Sequence, residues 1–287
     1  MKFENTNVSN FSGAFRGMRN PLASWEKADS LFGIANCDDL EEYDIAFNWI
    51  ESRYPGLDID SPEFTDLEDI CSAWLRDNGI LQTDGDGIYE YAFIGPNDMS
   101  LAMRLCKAGP EHRKFLRQIQ VCVDITAPLY WYKEFDTYKV GTTANSTSTM
   151  HKLASTPITI NCFEINDFDG DLEVNKADQS EITDAEEEID FILHWHMDMF
   201  TDYLMEHLED LRIAYNETKD KRYWKELVRW LPNGWLQTRT VALNYEVIRT
   251  ICHQRAGHKL VEWNAFIEWA HTLPYAEQLI FDHEVAF

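Results

Sequence analysis

Residues 118 to 125 constrain the fold most. Ile119, Val121, Val123 and Ile125 alternate with Gln118, Gln120, Cys122 and Asp124. A period of two puts one set of side chains on a core and leaves the other set polar, so this is a half-buried strand that needs a covering layer. The flanking patterns supply helices for that layer. A helix runs from Asn97-Asp98 to about Lys107 and stops at Gly109-Pro110. Thr126-Ala127-Pro128 caps a helix containing Tyr130, Trp131, Tyr132 and Phe135. Further on, helices are predicted over about 183 to 215, 241 to 255 and 260 to 272, with a break at Leu231-Pro232-Asn233-Gly234. Upstream, the turn Asp84-Gly85-Asp86-Gly87 leads into a short strand over Ile88 to Phe93. Ser61-Pro62-Glu63 opens a helix carrying Leu67, Ile70, Cys71, Trp74 and Leu75, and an apolar pattern at Phe47, Trp49, Ile50 and Tyr54 precedes it. The class is α+β: a mixed sheet flanked by long helices.

Charge narrows the function classes. The 287 residues hold 50 Asp and Glu against 25 Lys and Arg, a net of −25. A general nucleic-acid or anionic-membrane surface needs a broad basic face, so both are excluded. A small phosphorylated ligand needs only a few converging bases. The start, Met1-Lys2-Phe3-Glu4, lacks the pattern of a signal peptide, and no apolar run has the length of a membrane span, which points to the cytoplasm. Six scattered cysteines without a C-x-x-C pair read as reduced thiols rather than a disulfide framework or zinc site. Residues 1 to 94 read as an acidic, mostly helical extension. Residues 95 to 287 read as the main domain, with an acidic insertion around 164 to 188.

The order of strand, Ala-Pro helix start, aromatic helix, Ser/Thr/Asn loop and a late Leu-Pro followed by an Asn-to-Arg helix resembles the flavin-dependent thymidylate synthases, the thymidylate-synthase-complementing-protein-like fold. Val123 to Leu129 stands for that family's approach to its signature. Thr143-Ala144-Asn145-Ser146-Thr147-Ser148-Thr149-Met150-His151 stands for S-x-N-E-x-S-x-R-Y. Leu231-Pro232, Asn244 and Arg255 keep the spacing of the family's Leu-Pro, Asn and pyrimidine-polarising Arg, with His258 and Glu262 near its following His and Glu. The resemblance implies a homo-oligomer, a tetramer in the family, with active sites shared between subunits. It implies reductive methylation of deoxyuridine monophosphate (dUMP) with FAD and a folate carbon donor. Arg255 would be the catalytic, substrate-polarising group. Ser148, Thr149 and Thr143 would hold the nucleotide, and Lys139, Asn145, Asn244 and His258 would contact the flavin.

The sequence also departs from the family. Thr137-Tyr138-Lys139 replaces R-H-R, Ser146 replaces the Glu, and Met150 replaces an Arg. Glu246 and Thr250 stand at two flavin-contacting positions held by Arg and Asn. A pyrophosphate needs N–H groups or bidentate Arg, so an acid at 246 repels it. Hence there is a second reading: a nucleotide-binding or structural oligomer that keeps the fold without turnover.

Other motifs have bland readings. Asn244, Ile248, Ile251 and Arg255 share a helical face, where Arg255 needs either a ligand anion or an internal acid. His194-Trp195-His196-Met197-Asp198 lacks H-E-x-x-H, and Asp167 to Asp171 has its Gly out of place for a calcium loop, so no metal is assigned. Adjacent Cys252 and His253 diverge on a helix and make no nucleophile pair. The aromatic stripe at 130 to 135 suits a core or a subunit interface.

Overall fold

The computed structural model describes residues 1–36, 82–83, 88–148, 152–164 and 184–282, with the backbone alone at 34–36, 82–83, 88–91 and 184–198. The apolar pattern at Phe47 to Tyr54, the helix expected from Ser61, the acidic stretch at Asp167 to Asp171, and Thr149 and Met150 lie outside the described residues.

Seven strands are described: β1 (Lys2–Ser9), β2 (Leu31–Asn36), β3 (Gln82–Thr83), β4 (Ile88–Phe93), β5 (Gln120–Pro128), β6 (Thr143–Ser146) and β7 (Leu236–Asn244). The principal helices are α1 (Phe11–Arg19), α2 (Pro96–Ala108), α3 (Leu129–Phe135), α4 (Asp184–Thr218), α5 (Lys221–Trp230), α6 (Tyr245–Arg255), α7 (Glu262–His271) and α8 (Ala276–Leu279). Four strands form one sheet in the order β1-β5-β7-β6. β2, β4 and β3 form a second, antiparallel sheet. The class is α+β, as the alternation in β5 requires: Val121, Val123, Ile125 and Ala127 are buried while Gln120 and Cys122 are exposed.

Three expectations change. Val241–Asn244 belongs to β7, and the helix begins only at Tyr245. Val241 and Leu243 are buried while Thr240 and Ala242 are exposed, a strand alternation too short to separate from a helix by pattern. The polar run after Gly141 contains β6, whose four residues are all exposed. An edge strand with no buried face shows no alternation. The described part of residues 1–94 holds strands β1 to β4 as well as α1, although β1 has only Phe3 and Val8 as apolar anchors.

Contacts along the chain define two units, one of residues 1–2, 125–137 and 145–239, the other of residues 3–124, 138–144 and 240–287. In the first, Leu153, Ile158, Phe163, Leu208, Leu211 and Leu227 make a core where α5 packs on α4. The α3 stripe is also core. Trp131 stacks on Phe135 at 5.0 Å, and the buried Tyr132 hydroxyl donates to the Ile125 carbonyl at 2.6 Å. The N-terminal N–H groups of α3 bond backbone carbonyls of Trp235 and Asn233 instead of a cap side chain.

The second unit has an aromatic core of Phe11, Phe15, Phe115, Tyr245, Trp263 and Phe266. Phe3 of β1 stacks on Trp269 of α7 at 5.0 Å, and the Trp269 indole N–H donates to Thr6 Oγ1 at 3.0 Å. α2 starts in a polar network. The Asp29 carboxylate accepts the N–H groups of Asn97 and Asp98. Asp98, 1% exposed, accepts from Arg19 Nε at 2.6 Å and from the N–H groups of Asp29 and Ser30. A Cβ on Gly95 would sit 2.3 Å from the Asp29 carboxyl carbon, so only glycine fits there.

Candidate functional site

The C-terminal end of α6 gathers the polar groups. Asn244 closes β7 and caps α6, its Oδ1 accepting the Val247 N–H at 3.1 Å. Tyr245, Ile248, Ile251 and Cys252 anchor the helix in the core, which leaves Arg255 half-buried in its last turn, where a cation also suits the helix dipole.

Around Arg255 three side chains converge within the second unit. Its Nε donates to the Tyr138 hydroxyl at 2.9 Å, and that hydroxyl donates to Gln254 Oε1 at 3.1 Å. Its Cζ lies 4.8 Å from the ring centroid of the fully buried Trp263 and 5.5 Å from that of Tyr138. Cation–π attraction therefore holds the guanidinium against two neighbouring rings. Its Nη1 lies 3.0 Å from His258 Nε2.

The histidine makes this contact informative. The Leu260 N–H donates to His258 Nδ1 at 3.1 Å, which puts the proton of the neutral ring on Nε2. Two N–H groups then face each other across 3.0 Å. Arg255 and His258 thus stand side by side at an aromatic wall, a setting chemically suited to a carbonyl or anionic oxygen.

Of the residues singled out in the sequence, the structure brings Arg255 and His258 together. Asn244 lies at the other end of α6 with its carbonyl oxygen committed to the cap. Lys139 and Thr143 are exposed in the same unit. Asn145, exposed, and Ser148, half-buried, belong to the other unit. There the loop after β6 is tied down: Thr147 N–H donates to Thr238 O at 2.9 Å, and Gln237 Nε2 donates to Thr147 O at 2.8 Å. Tyr138, Gln254 and Trp263 were not legible in the sequence, since only tertiary packing joins them to Arg255.

Gly141 has a φ of +83°, and a Cβ there would lie 2.9 Å from Asn244 Nδ2 and 3.0 Å from Val247 Cγ2. Gly141→Ala is expected to destabilise by about 1–3 kcal/mol through backbone strain and displacement of the cap. Chemical denaturation of the two proteins measures the difference.

At the two positions where the resembled family has a flavin-contacting Arg and Asn, this chain has Glu246 and Thr250. Glu246 is 8% exposed and accepts from Arg113 Nε at 2.7 Å; Thr250 Oγ1 donates back to the Glu246 carbonyl at 2.8 Å. These groups present a satisfied acid and a back-bonded hydroxyl where an anion would need donors. Nor is Cys252 a nucleophile, since burial pushes its thiol up to about 12. Among the described residues, no three His, Cys, Asp or Glu side chains cluster as a metal site, and no helix is long and apolar enough to cross a membrane.

Two solved structures resemble the chain over nearly all of its length. Both are of the flavin-dependent thymidylate synthase of Helicobacter pylori with FAD and dUMP. Each is 14% identical with a TM-score of 0.50, and the match covers 98% of this chain and 99% or 98% of theirs. The chain shares their fold. No protein-family model matches the sequence, and no curated protein does. At this identity the likeness is one of architecture, so the chemistry of the site rests on its own side chains.

Proposed function

We propose that this chain binds a pyrimidine nucleotide at the Arg255 cluster, as a divergent relative of the flavin-dependent thymidylate synthases. The observation that carries the reading is the convergence of the Arg255 guanidinium and the His258 ring on the Trp263 and Tyr138 rings. A pyrimidine carbonyl offers an acceptor oxygen to both groups. Tyr138 fixes the guanidinium plane, so the donors are positioned before the ligand arrives. A guanidinium aimed at a ring carbonyl draws electron density from the ring, which is the activation that methylation of dUMP needs. By resemblance we assign contact with the nucleotide phosphate to Thr143, Ser148 and Thr149, and assembly as a homo-oligomer.

FAD is the cofactor that the resemblance brings with it, together with Lys139, Asn145, Asn244 and His258 as its contacts. The Glu246–Arg113 pair favours the second reading, nucleotide binding on this fold without flavin turnover. Visible absorbance of the purified protein after incubation with FAD separates the two. A colourless protein that cannot be reconstituted removes the enzyme reading and leaves nucleotide binding standing.

The nucleotide reading is tested by thermal shift. Saturating dUMP, at about 100 times Kd, is expected to stabilise the chain by about 2.7 kcal/mol. Arg255→Ala removes a charge-assisted hydrogen bond of about 1.5–3 kcal/mol, so Kd rises roughly 10- to 100-fold. Equal responses of the two proteins, or none, overturn the assignment of Arg255.

A further inference from the structure

In the second unit a cleft of about 810 Å³ opens between α1, the turn at residues 21–27, α2 and residues 111–115. That volume lies in the range of small-molecule sites. Its lining runs against the character of the chain. Four bases, Arg19, Lys27, Arg104 and Lys114, face two acids, Glu26 and Glu111, whereas the whole chain carries twice as many acids as bases. Met18, Leu22, Leu101, Leu105 and Phe115 supply an apolar wall. None of these residues belongs to the Arg255 cluster.

Arg19 is 4% exposed and rigidly held. Its Nε donates to Asp98 Oδ1 at 2.6 Å and its Nη1 to the Ser24 carbonyl at 3.3 Å, while Nη2 has no acceptor among the described residues. Asp98 is fixed in turn by Ser30 and the Asp29 N–H. Stability alone does not explain this arrangement, because an apolar pair of similar volume serves a core as well or better than a buried ion pair. A guanidinium locked on two sides, lining a cleft, with one nitrogen open, is a preorganised donor for an anion.

We infer that this cleft binds an organic phosphate of roughly mononucleotide size. Arg19, Lys27 and Lys114 take the phosphate, and Met18, Leu101 and Leu105 take the apolar body. A phosphate matches the site better than a carboxylate because its three terminal oxygens can meet donors arriving from three separate segments. Two acids in the lining and the limited number of bases exclude a polyanion such as RNA.

The test is calorimetric titration of the full chain at low salt with phenyl phosphate, and in parallel with benzoate and inorganic phosphate. Saturable binding of phenyl phosphate is expected, at least tenfold tighter than either comparison ligand. Lys27→Glu with Lys114→Glu should weaken it tenfold or more. Both lysines are exposed, so this variant keeps the wild-type fold. Arg255→Ala should bind phenyl phosphate like wild type, which separates this site from the proposed nucleotide site. The inference is overturned by absence of saturable binding, by benzoate or inorganic phosphate binding as tightly, by indifference to the double charge reversal, or by loss of binding in Arg255→Ala.

Discussion

Asp98→Ala is expected to destabilise the chain by about 3–5 kcal/mol, because it leaves the Arg19 guanidinium buried without its counter-charge. The carboxylate also accepts the N–H groups of Asp29 and Ser30 and the Ser30 hydroxyl, so several donors lose their acceptor together. The residue is 1% exposed and water cannot substitute. In a chain of this size the change corresponds to a fall in Tm of about 10 °C. Asp98→Ala combined with Arg19→Met should recover part of the loss, since no uncompensated charge then remains. Denaturant unfolding of the wild type, both single variants and the double variant gives the coupling. Additive effects would mean that the two side chains do not act as a pair.

Trp263→Ala should cost a similar amount, about 3–5 kcal/mol, for another reason. Its indole is fully buried and packs edge-on against Tyr138, His258 and Phe266, at centroid distances of 6.2, 6.3 and 5.8 Å. Truncation opens a cavity and removes one of the two rings that hold Arg255. The dUMP response should therefore weaken beyond what global stability explains, which is checked at a temperature where the variant is fully folded. Trp263→Phe keeps an aromatic face and should retain more of both properties. If Trp263→Ala binds dUMP like wild type while folded, the aromatic wall has no part in recognition.

The reach of the sequence follows from which forces act locally. β5 was legible because Val121, Val123 and Ile125 alternate with polar neighbours, and α2 because Asn97-Asp98 marks its start and Gly109-Pro110 its end to within a residue. β6 was not, since Thr143–Ser146 has no buried face to impose a period. At Val241–Asn244 the run was too short to distinguish strand from helix, and the expected helix began one element too early. In the site, the spacing from Leu231-Pro232 through Asn244 to Arg255 located α6 and its guanidinium. The ring contacts of Arg255 with Tyr138 and Trp263 depend on packing of residues far apart in the chain, which no local pattern encodes. The acid at Glu246 was legible as a departure from the family, but its partner Arg113 emerged only in three dimensions.

The stacking of Phe3 on Trp269, with Thr6 accepting the indole proton, also bears on the order in which the molecule assembles. The Thr6–Trp269 bond joins positions separated by 263 residues. During synthesis β1 emerges well before α7, so its docking surface does not exist until the long intervening stretch has been translated. The closing step of folding is thus a late, long-range event with a large loop-closure entropy, which predicts slow acquisition of the native Trp269 environment. Phe3→Ala should accelerate unfolding far more than it slows the earlier steps, because the interaction it removes forms last.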